Sequence, residues 1–241
     1  MRKRGMKPPR GILLVGVPGC GKSLSAKVVS FLWKLPLYRL DLATVQGMYV
    51  GQSEAQLKAA FDAADHVAPC ILWIDEIEKG LAVSGESNVT NKLIGQFLYW
   101  LQESDKHVFI VATANDVSKL PSELLRKGRF DELFFVDLPN KTERTTIINM
   151  YVEKYLRVKL SETFLNNLVL LSDKFTSADI EYIIRDIAYK QMSKPNFTLN
   201  EAMMMEAFKS AVSLSNVNPE AIDKIRGWGK DRTIPASIPE N

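Results

Sequence analysis

Gly11-Ile-Leu-Leu-Val-Gly-Val-Pro-Gly-Cys-Gly-Lys-Ser23 is the stretch around which the rest of the chain can be placed. Four of residues 11–15 are apolar with no polar alternation, which reads as a strand buried on both faces of a parallel sheet. Glycines follow at 16, 19 and 21, and Lys22-Ser23 completes the pattern G-x-x-x-x-G-K-S from Gly16 to Ser23. Glycines let the backbone turn several N–H groups inward, where a phosphate meets them together with the positive end of the following helix. Lys22 can then reach the β- and γ-phosphates of a nucleotide, and the Ser23 hydroxyl can ligate Mg²⁺. The expected nucleotide-binding segment is Gly16, Val17, Pro18, Gly19, Cys20, Gly21, Lys22, Ser23 and Leu24. An ordinary glycine turn is the alternative, but the preceding strand, the Lys-Ser pair and helix-forming sequence through Lys34 all fit the phosphate loop.

The other strand ends are read the same way. Cys70-Ile-Leu-Trp-Ile-Asp75-Glu76 is an apolar strand running into two adjacent carboxylates, and ligands of parallel sheets gather beyond such strand ends. There Asp75 can organise the Mg²⁺ shell and Glu76 can polarise a water; a pair of helix-capping acids is the plainer reading. His107-Val-Phe-Ile-Val-Ala-Thr-Ala-Asn115 is a further strand with a polar end, where Asn115 could align the attacking water or simply make a turn. Leu124-Leu-Arg-Lys-Gly-Arg-Phe130 places Arg126 and Arg129 around a glycine; they suit developing phosphoryl charge or, equally, surface pairing with Asp131 or Glu132. Tyr49 and Val50 lie between Gly47 and Gly51, so they either tuck onto the domain or project to touch something else.

Composition narrows the classes. At 241 residues and 46% hydrophobic the chain can bury a substantial core, and no apolar run approaches the roughly 20 residues of a membrane span. The net charge is +3, but the first ten residues hold five basic side chains, leaving 26 basic against 28 acidic residues, a net of −2. A near-neutral body argues against a broad nucleic-acid surface. Two cysteines, Cys20 and Cys70, offer no metal or disulfide framework, and two histidines argue against histidine-based metal chemistry. After Pro139 the strand signals stop, and helices are expected at about 141–155, 161–171, 177–192 and 198–214, followed by a proline-rich tail.

Taken together, Gly16–Ser23, Ile71–Glu76, Ala112-Thr-Ala-Asn115 and Leu125–Asp131 resemble the AAA ATPase family in order and spacing, over residues 8 to about 214. The resemblance implies an α/β fold: a P-loop NTPase αβα domain with a five-stranded parallel sheet over residues 1–139. A helical lid subdomain would follow over 140–215, and a C-terminal tail over 216–241. It also implies ATP with Mg²⁺, and assembly into a homo-hexamer in the presence of ATP. In that frame Asn115 would be the first sensor, and Arg126 and Arg129 arginine fingers acting on a neighbour's ATP. Tyr49-Val50-Gly51 is similar to the pore loop that grips a polypeptide client, which favours the projecting reading. Phe175-Thr-Ser-Ala-Asp179 resembles the nucleotide-contacting lid motif, with Ser177 where the family usually has glycine and Ala178 beside it.

More narrowly, Val111–Asp116, Leu124–Pro139 and the tail with Trp228, Arg232 and Pro235-Ala-Ser237 resemble the AAA proteins of a chloroplast reading frame, also found in cyanobacteria and other bacteria. Members of that branch carry an additional N-terminal region, so the chain reads as a fragment or a minimal relative. The expected function is a Mg²⁺-dependent ATP hydrolase that remodels or unfolds a protein through a central pore, in the cytoplasm or the plastid stroma. An ATP-gated scaffold or nucleic-acid-associated switch is the alternative.

Overall fold

In the computed structural model, residues 8–46, 52–81, 88–126, 128–193 and 199–237 are described. The first strand, β1 (Gly11–Gly16), is almost wholly buried, as its unbroken apolar sequence requires. It leads into helix α1 (Lys22–Trp33), then strand β2 (Leu37–Leu40) and the short helix α2 (Leu42–Gln46). Asp41 explains why a helix starts there: its carboxylate accepts from the Ala43 and Thr44 amides at 3.0 and 3.3 Å. Helix α3 (Gln52–His66), strand β3 (Cys70–Ile74), helices α4 (Ile77–Leu81) and α5 (Asn88–Glu103), and strand β4 (Val108–Ala114) follow. Strand β5 spans Glu132–Val136.

The sheet order is β2-β3-β4-β1-β5-β6, with parallel registers such as Leu13↔Ala112 between β1 and β4 and Ile74↔Ala112 between β3 and β4. Parallel central strands bring the ends of β1, β3 and β4 to one rim. The expected five strands are corrected to six. The extra strand, β6 (Ile234–Pro235), is formed by the tail and pairs parallel with β5, Phe134↔Ile234 and Phe135↔Pro235. It is held by tertiary contacts rather than by its own sequence. Trp228 packs against the sheet core, and Gly229 lies so close to Phe135 that a Cβ would come within 2.3 Å of the ring. The Ala236 amide then donates to the Phe135 carbonyl at 2.8 Å.

This sheet unit comprises the described residues up to Gly16, Lys22–Phe135 and Trp228–Ala236. Its core joins inward residues of the strands to α3 and α5, where Phe61 stacks on Trp100 at 4.3 Å and 4°. Trp100 is oriented in turn by its indole N–H, which donates to Asp65 at 3.1 Å.

The second unit contains Val17–Gly21 and Val136–Gly227. It is built from α6 (Lys141–Tyr151), a π turn (Val152–Leu156), α7 (Glu162–Leu171), α8 (Ser177–Ser193), α9 (Glu201–Ser210), α10 (Leu214–Val217) and most of α11 (Pro219–Lys230). The helix starts follow from local chemistry: Asn140 and Glu143 form a reciprocal capping box on α6, Ser161 caps α7 and Asn200 caps α9. Ile148, Leu168, Ile180, Ile184 and Phe208 fill its core, and Met204, at 2% exposure, joins them as packing.

Candidate active site

Within the sheet unit, the side chains expected at the strand ends meet. Lys22, only 5% exposed, turns its ammonium back to the Gly16 carbonyl at 2.8 Å. Buried ammonium groups are held this way only where an acceptor is at hand. Ser23, in the first turn of α1, donates its hydroxyl to Asp75 Oδ1 at 2.7 Å. Thr113, at the end of β4, donates to the same oxygen at 2.7 Å, while its Oγ1 accepts the Glu76 amide at 2.9 Å. The other Asp75 oxygen lies 3.9 Å from Arg39, whose guanidinium rests over the Trp73 ring at 5.1 Å.

Glu76 occupies the corner between β3 and α4 with φ 50°, a left-handed conformation that costs a non-glycine residue free energy. Its side chain is met from two sides. Asn115 Nδ2 donates to Oε1 at 2.9 Å, and the Lys79 ammonium pairs with Oε2. Glu78 completes the rim: 5% exposed, it accepts the Asn115 amide on Oε1 at 2.9 Å, and its Oε2 is buried with no partner among the described residues. Burial pushes the Glu78 carboxyl above the ordinary carboxylate range, while the contact with Glu76 raises Lys79.

Within the helical unit, Gly19 sits at φ +77°, and a Cβ there would lie 3.0 Å from Ala178 Cβ and 3.1 Å from Thr176 Oγ1. Both the conformation and the space call for glycine. Its carbonyl accepts the Ala178 amide at 3.0 Å. Ser177 is the first residue of α8 and does not adopt a positive φ, so the departure from glycine is accommodated by an ordinary helix start. Thr176 and Asp179 cap that start reciprocally, at 2.9 and 3.1 Å.

Of the two arginines, Arg126 is exposed and Arg129 half-buried, with its Nε buried and unpartnered. Among the described residues neither makes an ion pair with Asp131 or Glu132; the Asp131 carboxylate instead accepts the backbone amides of Arg10 and Gly11. Tyr49, Val50 and Gly51 lie outside the described residues. Thr113, Glu78 and Lys79 were not singled out from sequence. Thr113 carries the one available signal, a hydroxyl in an otherwise apolar buried strand next to its polar end.

The described residues include no cluster of three or more His, Cys, Asp or Glu fit to hold a metal alone, and no helix long and apolar enough to cross a membrane. The donors that do converge, a serine hydroxyl and an aspartate carboxylate, are hard oxygen ligands of the kind Mg²⁺ takes when phosphates supply the rest of its shell.

The family described as ATPase family associated with various cellular activities (AAA) matches residues 12–138. The uncharacterised AAA domain-containing protein ycf46 of Pyropia yezoensis is 40% identical over 230 residues, 94% of this chain and 46% of that protein. The ycf46 protein of Trieres chinensis is 37% identical, covering 95% of this chain and 47% of its own length. The cell division cycle protein 48 homolog of Archaeoglobus fulgidus is 31% identical over 93% of this chain and 31% of its own. The chain thus spans about half the length of the ycf46 relatives it matches. The crystal structure of the FIGL-1 AAA domain in complex with ADP shares the fold, with a TM-score of 0.76 at 21% identity, covering 96% of this chain and 82% of that one. With the phosphate loop, the acidic strand end and the asparagine rim on one parallel sheet, and with these relatives, the chain belongs to the AAA family of ATPases.

Proposed function

We propose that the protein is a Mg²⁺-dependent ATP hydrolase that assembles with ATP into a homohexameric ring and remodels a protein client through a central pore. The observation that carries the hydrolytic part is the single network joining Ser23, Asp75, Thr113, Glu76 and Asn115. Catalysis of phosphoryl transfer is mainly positioning and charge stabilisation, and each of these groups has a place in it.

Lys22, with the amides of Val17–Gly21, would hold the phosphate oxygens, and Ser23 with Asp75 would hold Mg²⁺. When bound, the metal neutralises charge on the β- and γ-phosphates. Glu76 accepts a proton from the attacking water as its oxygen bonds to the γ-phosphorus, and the bond to the β-phosphate oxygen breaks to leave ADP and phosphate. The Asn115 amide fixes the carboxylate that does this, and its own backbone is fixed by Glu78. Thr113 orients both acids at once, holding the Asp75 side chain and the Glu76 backbone.

The ring and its work rest on the likeness to the family. Arg126 and Arg129, without an ion pair among the described residues, would complete a neighbouring subunit's site, Ser177 and Ala178 would contact the nucleotide, and Tyr49-Val50-Gly51 would grip the client. Residues 140–215 would be the helical part that responds to nucleotide, and the compartment cytoplasmic or plastid stroma. The test is Glu76→Gln, with ATP binding, turnover and mass by light scattering measured together. Retained binding, a loss of turnover on the order of 10²–10⁴-fold and an ATP-dependent hexamer are expected. Normal hydrolysis would remove Glu76 from the mechanism, and a nucleotide-independent monomer would remove the ring. Turnover stimulated by DNA or RNA, and unaffected by Tyr49→Ala, would favour the switch over the remodeller.

A further inference from the structure

Both oxygens of the Glu76 carboxylate are engaged by other side chains of the chain. Asn115 Nδ2 donates to Oε1, and the Lys79 ammonium, one helical turn along α4, pairs with Oε2. The two contacts differ in kind. Asn115 ends a buried strand and its backbone is held by the buried Glu78, so its amide is a fixed fitting. Lys79 reaches Glu76 from solvent: its side chain is 59% exposed, and that of Glu76 36%. The backbone favours this local arrangement, since the Lys79 amide donates to the Glu76 carbonyl at 2.8 Å and the left-handed turn at Glu76 sets the carboxylate beside the first turn of α4.

Resting on the reading of Glu76 as the base, we infer that Lys79 is a positioning residue that gates it. Its ammonium pairs with Oε2 and has to leave before that oxygen can accept the proton of the attacking water. An exposed, single-turn ion pair is weak enough to be a gate rather than a lock. The strength of such pairs corresponds to a shift in population of about two- to fivefold, and this bounds how much turnover the contact can restrain. Asn115 stays in place in both states, so opening the gate changes proton acceptance without changing how the nucleotide is bound.

The test uses Lys79→Met, with Lys79→Gln as a second neutral variant, and measures kcat, KM and nucleotide affinity in the full chain. The expected result is a kcat about two- to fivefold above wild type, with nucleotide affinity changed by less than about twofold. Lys79→Arg, which can remake the ion pair, brings kcat back toward wild type. A purely structural role for Lys79 would leave kcat unchanged or lower it with the melting temperature, and either result overturns the gate. Glu76→Gln run alongside separates the two claims. If that variant turns over normally, the assignment of the base fails; if it is inactive while Lys79→Met is no faster than wild type, only the gate fails.

Discussion

The two units bury polar side chains in different ways. In the helical unit the buried polar residues are Ser172, Thr176, Ser213 and Ser215, all small hydroxyls at helix ends. Each is satisfied close by: Ser172 donates to the Val169 carbonyl at 3.0 Å, Ser215 to the Lys174 carbonyl at 2.8 Å, and Ser213 and Thr176 accept cap amides. The sheet unit buries hydroxyls too, on Ser53, Thr90 and Thr113, but adds an ammonium on Lys22 and a carboxyl on Glu78, each 5% exposed. A buried hydroxyl is satisfied by one hydrogen bond, whereas a buried charge carries a larger desolvation cost. Among the described residues, buried charge is therefore confined to the sheet unit, where Ser23, Asp75, Thr113, Glu76 and Asn115 form their network, and the helical unit buries hydroxyls.

The comparison is broken most severely from the packing side. Phe208, 1% exposed and stacked against Phe175, should cost about 3–5 kcal/mol on truncation to alanine. Denaturant unfolding measures it; a loss below about 1 kcal/mol would mean that the helical core is not close-packed. Next in size is Thr113→Val, which keeps the shape and removes the hydroxyl shared by Asp75 and Glu76. It should lower turnover at least tenfold while costing about 1–3 kcal/mol of stability. Unchanged turnover would make the Thr113 bridge structural, like the hydroxyls of the helical unit.

Thr176→Ala removes a cap of the second kind and should cost about 1 kcal/mol, read as a small drop in melting temperature. The smallest effect is a pH dependence at Glu78. Burial raises its carboxyl, so the folded state favours the protonated form; that stability is present at acid pH and is lost as pH rises through the folded value. Glu78→Gln is free of this loss. The melting temperature of the variant relative to wild type should rise as pH is raised above about 4, the ordinary carboxylate value, and level off once pH passes the raised folded value. A difference that falls over that range would contradict the burial argument.

The parts legible in the sequence were those whose signals are local. The apolar runs at 11–15, 70–74 and 108–114 fix three central strands, and the glycine loop fixes what their rim binds. Arg39, Thr113, Glu78 and Lys79 were not legible as site residues, and Thr113 and Glu78 show why. Thr113 lies 37 residues from the amide it accepts, and Asn115 37 from the Glu78 that holds it, so only the folded sheet brings them together. Helix α2 rests on the single aspartate at its start, and the two residues of β6 carry no periodicity from which a strand could be read. Ser177 is a gentler case: the departure from glycine was visible, but that the position takes no positive φ is a backbone fact that sequence does not display.

The short strand β6 has a consequence for solubility. Without the tail, β5 would end the sheet with Phe134 and Phe135 and a row of unpaired amides and carbonyls, the kind of border on which stray strands add. The tail fills that border with a two-residue strand whose second member, Pro235, has no N–H to offer onward. That edge of the sheet is therefore closed by a piece too short and too poor in donors to template another strand. A chain trimmed before Trp228 should remain able to form its central strands yet precipitate at concentrations the intact chain tolerates, making these last residues guardians of solubility rather than of the nucleotide site.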